Sequence, residues 1–213
     1  MRKNSAARLA EAAIAGAGER ERFILALAGP PGVGKSTLAE ALVAEFASRG
    51  QRAAIVAMDG FHFDNAVLAA RGTLPRKGAP FTFDVDGYAA LLRRLRAERD
   101  RDIAVPVFDR ALDLARAGGS LITSEHRFLI AEGNYLLLDA PVWTQIADLF
   151  DLTVMLKADL SDLKRRLIDR WLALGLNHSE AHARAKVNDI PNAELVLAAS
   201  RPADLEISTA GEP

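Results

Sequence analysis

Residues 29 to 37 read "GPPGVGKST", the spacing G-x-x-x-x-G-K-[ST], and each residue type in it suits a phosphate chain. Gly29, Gly32 and Gly34 let the backbone around Val33 turn its N–H groups inward, and a helix starting there adds partial positive charge. Lys35 offers a point charge to the outer phosphates, while Ser36, followed by Thr37, places a hydroxyl suited to Mg2+. The expected ligand is a nucleoside triphosphate with its metal, ATP and Mg2+.

Two acids close other apolar runs. "IVAMDGFHFDN", 55 to 65, delivers Asp59, and "FLIAEGN", 128 to 134, delivers Glu132. Asp59 has two readings: the first residue of an Asp-Gly turn, or a carboxylate that takes a hydroxyl proton during phosphoryl transfer. In the second reading Gly60 keeps the backbone narrow for an incoming acceptor, and Phe61 and His62 line its entry. Glu132 is either a surface acid at a strand end or, with Ser36, a metal-holding group. Many hydrolytic P-loop ATPases carry two acids in succession at this point, the second to position water; here Gly133 follows.

Lys164, Arg165, Arg166 and Arg170 share one late helix, with Arg166 and Arg170 on one face. They either fold over the nucleotide and offset charge on the transferring phosphoryl, or form a solvated face balanced by Asp162 and Asp169. His178 and His182 have helical spacing for a metal, but no acid triad stands near them in the sequence, which favours a surface pair. Asn65, Lys77, Asp109, Arg110, Asn134 and Tyr135 complete a polar set suited to a sugar or other polyhydroxy acceptor. Lys77 with Arg71 and Arg76 alternatively reads as an anion site or a solvated basic loop.

These groups need a frame that brings strand ends together. "FILALAG" (23–29), "AAIVAM" (53–58), the run at 128–131, "LTVMLKA" (152–158) and "ADLEIS" (203–208) read as strands, with a Pro-interrupted one at 103–108. Helices are expected at 36–49, 65–70, from Asp84 or Asp86 onward, at 141–148, at 160–174 and, broken near Pro191, at 179–199. A hairpin is expected between 120 and the strand at 128, and the strand carrying Asp59 is expected beside the first. The alternation predicts an α/β fold with a parallel sheet flanked by helices, in a single domain spanning 1–213. The N-terminal stretch, interrupted by Glu11, reads as an alanine-rich helix capping the domain rather than a targeting peptide.

The bulk numbers fit. Half of the 213 residues are hydrophobic, and the net charge of −1 argues against a dedicated nucleic-acid surface. With no cysteine, disulfides and thiolate metal sites are excluded, and no apolar run reaches membrane-spanning length. The expectation is a cytoplasmic protein acting on a small molecule, without nucleic-acid or membrane partners, and with room for a homodimer.

"GPPGVGKST", "VAMDGFHFDN", "FLIAEGNYLLL" and the Arg-bearing helix, in that order, resemble the P-loop kinases that include uridine kinase, pantothenate kinase and phosphoribulokinase. Bacterial fructose transport system kinases, also described as nucleoside-kinase-like, are the most similar group, over nearly the whole chain. The resemblance implies a P-loop fold with a five-stranded parallel core and a helical lid at about 160–200. It also implies an acceptor-activating role for Asp59, with Ser36 and Glu132 near magnesium. The chain departs from uridine kinases where these carry Tyr-Asp-Phe and then a histidine. Here "VFDRALD" puts Arg110 in place of the Phe and Asp113 where the histidine would fall.

Overall fold

The computed structural model describes residues 2–209; Met1, which opens the N-terminal stretch, and 210–213 lie outside the described residues. In chain order the first half comprises α1 (Arg2–Ala17), β1 (Phe23–Ala28), α2 (Lys35–Ser48), β2 (Ala53–Ala57), α3 (Asn65–Ala70), α4 (Val85–Ala97) and β3 (Ile103–Asp109). It continues with β4 (Leu114–Ile122), β5 (Phe128–Gly133), α5 (Pro141–Thr144), β6 (Leu152–Lys157), α6 (Leu160–Ala173), α7 (His178–Arg184), α8 (Ile190–Ala199) and β7 (Leu205–Ser208).

Five strands form one parallel sheet in the order β2-β5-β1-β6-β7. Every residue of β1 is buried, because helices cover both faces. The period-two alternation of a strand sorts its side chains. Ile24, Ala26 and Ala28 meet Leu129, Tyr88 and Leu92 on one face, while Phe23, Leu25 and Leu27 meet Phe128, Leu42 and Leu167 on the other. On that second face Phe46 of α2 stacks on Phe128 with ring centroids 4.4 Å apart. No described helix is long and apolar enough to cross a membrane.

Several expectations are corrected. The strand bearing Asp59 does not lie beside β1, because β5 pairs with both and separates them. The Pro-interrupted strand does not join the parallel sheet, and the hairpin falls earlier than expected. β3 and β4 pair antiparallel with each other, and Pro106 sits at a register irregularity where the ladder does not need its missing N–H. Ile103, Val105 and Ile122 fix this hairpin to the core. The segment 141–148 is only the four-residue α5 followed by a 3-10 turn. The late break in the helix precedes Pro191: a π turn over Ala185–Asp189 joins α7 to α8, and Pro191 lies in the first turn of α8, where its lack of N–H costs nothing.

Candidate active site

The carboxyl ends of β1, β5 and β2 open onto one cavity of about 360 Å³, the expected position for a ligand in an open parallel sheet. At its floor the turn from β1 to α2 holds Gly32 and Gly34 at φ 80° and 98°, left-handed values that a side chain would strain. Gly34 is the cap residue of α2, so the first free N–H groups of that helix face the cavity. A Cβ on Gly29 would lie 2.7 Å from the Leu156 carbonyl oxygen, so glycine there lets the turn pass close to β6.

Lys35 crosses this turn. Its Nζ donates to the Pro30 carbonyl at 3.0 Å and to Asn134 Oδ1 at 2.7 Å. Burial pulls its pKa down to about 8, against the opposing pull of Glu132 and Asp59. Glu132 is in register with Leu27 on one side and Ala57 on the other, which centres it between the P-loop and Asp59. Burial holds its carboxyl above the ordinary value, with nearby Asp59 adding to the rise, while Lys35 and a hydrogen bond with the Ser36 side chain offset part of it. Asp59 leaves β2 in a tight 3-10 turn, Met58–Phe61, and its Oδ2 accepts from Arg110 Nη2 at 3.2 Å.

Gly60 and Gly133 answer to packing. A Cβ on Gly60 would sit 2.6 Å from the Pro106 carbonyl oxygen, so this glycine lets the β3–β4 hairpin approach; it does not make way for an acceptor as expected. A Cβ on Gly133 would sit 2.6 Å from that of Met58. The position where hydrolytic ATPases carry their second acid has no room for one here.

Of the residues predicted from sequence, the cavity wall brings together Gly32, Gly34, Lys35, Ser36, Thr37, Asp59, His62, Lys77, Arg110, Glu132, Asn134 and Arg170. The others lie elsewhere, each for a visible reason. Val33 turns into the core below α2. Arg166 donates through Nη2 to the Thr209 carbonyl at 3.0 Å, so only Arg170 of that helical pair reaches the wall. Tyr135 is fully buried against Trp143 and donates to the Gly78 carbonyl at 2.6 Å. Phe61 packs on Tyr88. Asp109 accepts from the N–H groups of Ala111 and Leu112, holding the β3–β4 turn. Asn65 stands behind Lys77, whose Nζ it accepts at 2.7 Å.

Sequence reasoning missed the wall contributed by Asn188, Asp189 and Asn192. Arg76 donates to the side-chain oxygens of both asparagines, at 3.2 and 3.4 Å. Asn188 in turn donates to the Lys77 carbonyl at 2.6 Å, and Asn192 to that of Gly78 at 3.3 Å. This network ties the π turn and α8 to the loop carrying Lys77. The available signal was a pair of asparagines at i and i+4 within a helical run, where asparagine is unfavourable unless it has a partner. Trp171, its indole N–H donating to Asp189 Oδ2 at 2.5 Å, and Arg184 complete that side.

A parallel sheet with this glycine turn, lysine and paired strand-end acids defines a P-loop nucleotide-binding protein. The relatives narrow the class. A structure described as a candidate fructose transport system kinase, from Silicibacter, is 45% identical, with 95% of this chain and 98% of that chain covered and a TM-score of 0.90. A candidate uridine kinase of Schizosaccharomyces pombe is 35% identical over 83% of this chain and 79% of its own length. A pantothenate kinase of Sorangium cellulosum is 36% identical over 73% of this chain, which spans only 51% of that relative. The family model for the methylmalonyl Co-A mutase-associated GTPase MeaB matches residues 1–63, the part that holds the P-loop and the Asp59 turn. The chain belongs to the P-loop kinase family of uridine kinases, pantothenate kinases and phosphoribulokinase-like proteins, and it is a kinase of small molecules.

Proposed function

We propose that the protein transfers the γ-phosphoryl group of ATP to a hydroxyl of a sugar-like metabolite such as fructose. The observation that carries this reading is the shared cavity: Asp59 and the P-loop Lys35 face one space, with a polar wall of His62, Lys77 and Arg110 beside Asp59. The sugar itself enters through the name of the Silicibacter relative; a nucleoside or a pantothenate-like acid is the alternative acceptor. The crowding at Gly133, which excludes a second acid, favours an organic acceptor over water.

In this reading the free N–H groups of α2 and Lys35 hold the phosphates, and Asp59 takes the acceptor proton as its oxygen bonds to phosphorus. Arg170 approaches from α6 to offset charge on the phosphoryl oxygens, with the region 160–200 as the lid of a single domain. Ser36 and Glu132 fit Mg2+ by donor chemistry: a hydroxyl oxygen bonded to a buried carboxylate, a sparse set of the kind Mg2+ uses when phosphates complete its shell. Bound there, the ion would neutralise charge between the outer phosphates. Release of ADP over a panel of D-fructose, uridine, pantothenate and D-glycerate tests the acceptor class. Stimulation by D-fructose above the others supports the proposal, and stimulation by uridine or pantothenate alone replaces it with the alternative.

Two further results are expected. Arg110 is well exposed and its pair with Asp59 is screened, so Arg110→Ala should raise acceptor KM by about two- to tenfold and leave ATP KM nearly unchanged. Steady-state kinetics with each substrate varied in turn checks this. The second concerns pH. Lys35 loses its proton above about pH 8 in the free protein, and phosphates bind the protonated form. ATP affinity should therefore hold steady below that pH and fall by up to about tenfold per unit above it, with proton uptake on binding, as read by titration calorimetry.

A further inference from the structure

His62 occupies a constrained place in the cavity wall. Its ring lies between those of Phe83 and Phe108, with centroids 4.1 and 4.7 Å away. Its Nδ1 is 2.8 Å from the backbone carbonyl oxygen of Asp59. A carbonyl oxygen only accepts, so Nδ1 must carry the proton in that bond. In the neutral ring Nε2 is then a bare lone pair. Among the described residues no protein group bonds Nε2, and it is not sealed from solvent. The charges around it are mixed: Asp59 and Asp113 favour an imidazolium and Lys77 opposes one. Burial is the largest influence and lowers the pKa, so the neutral ring prevails near pH 7.

We infer that His62 is a specificity residue. Its Nε2 lone pair is a fixed hydrogen-bond acceptor that reads a second hydroxyl of the substrate, beside the one that loses its proton to Asp59. This deepens the proposed function and rests on it. Asp59 and His62 are three residues apart across one tight turn and open onto the same cavity. Two neighbouring acceptors, a carboxylate and an imidazole nitrogen, suit a substrate with two donors on nearby carbons. A polyol, or an acid carrying two neighbouring hydroxyls, meets that demand; an alcohol with one hydroxyl does not.

The first test needs no substrate. Nitrogen-15 shifts of the His62 ring at neutral pH should show a protonated Nδ1 and a pyridine-type Nε2; the opposite tautomer or an imidazolium overturns the inference. The second uses whichever of D-fructose, uridine, pantothenate and D-glycerate is phosphorylated fastest. His62→Asn keeps a donor at the Nδ1 position but lacks the reach of Nε2, whereas His62→Gln places an amide oxygen near Nε2. Loss of one neutral hydrogen bond should raise acceptor KM by about two- to tenfold in His62→Asn with ATP KM unchanged, and His62→Gln should restore most of it. A purely structural histidine predicts the reverse, with Asn rescuing and Gln failing. If no compound in the panel is phosphorylated, the polyhydroxy acceptor falls and takes this inference with it, even where the tautomer is as expected.

Discussion

Asp59→Asn is expected to keep ATP affinity within a few fold and to lose about 10²- to 10⁴-fold in kcat, the usual scale for removal of a general base. Asparagine preserves the shape of the side chain, and the 3-10 turn that carries it is fixed by buried Met58 and by the close approach of Gly60 to Pro106. The fold should therefore be indifferent to the change. In the proposed mechanism, what disappears is the ability to accept a proton from a hydroxyl while the new bond to phosphorus forms. Turnover across Mg2+ concentrations distinguishes this from a metal defect, which excess metal would partly rescue. Turnover near the wild-type rate would return Asp59 to the role of a turn residue paired with Arg110.

Lys35→Ala should be the second large effect, about 10²- to 10³-fold in kcat with weakened ATP binding, comparable to removing a donor that faces developing charge. The free protein should not suffer. Lys35 is held buried and charged at neutral pH, below its lowered pKa, so its ammonium is a burden on the folded state, and its removal should leave the thermal midpoint unchanged or raise it. Thermal melts beside titration calorimetry with an ATP analogue check both halves. A lowered midpoint with unaltered affinity would make Lys35 structural.

What was legible in the sequence was local. The P-loop is contiguous, and its glycines are demanded by backbone angles that Gly32 and Gly34 adopt within the motif itself. Asp59 and Glu132 could be found because each closes an apolar run: Glu132 that of the buried β5, Asp59 that of the half-buried edge strand β2. The strands were found for the same reason, but their order was not. That β5 enters between β1 and β2 depends on pairing over more than 70 residues, which no local pattern records.

The misplaced site residues fail in the same way. Spacing put Arg166 on the face of Arg170, yet Thr209, far along the chain, draws it aside. Tyr135 follows a strand end as a ligand-binding residue would, but a pocket of Phe83 and Trp143 takes its ring and the Gly78 carbonyl takes its hydroxyl. The Arg76–Asn188–Asn192 network joins segments more than 100 residues apart, so its members read separately as a basic loop and a broken helix.

The account rests on an organic acceptor for the phosphoryl group, and the fate of that group tests it most directly. ATP labelled at the γ-phosphorus, incubated with the protein, Mg2+ and each acceptor of the panel, should yield its label in a phosphate ester of one acceptor. Formation of that ester should slow by the same factor of about 10² to 10⁴ in Asp59→Asn. Label recovered only as inorganic phosphate, at a rate no acceptor changes, would contradict the account and make the protein a nucleotide hydrolase, as the GTPase match over residues 1–63 would then suggest.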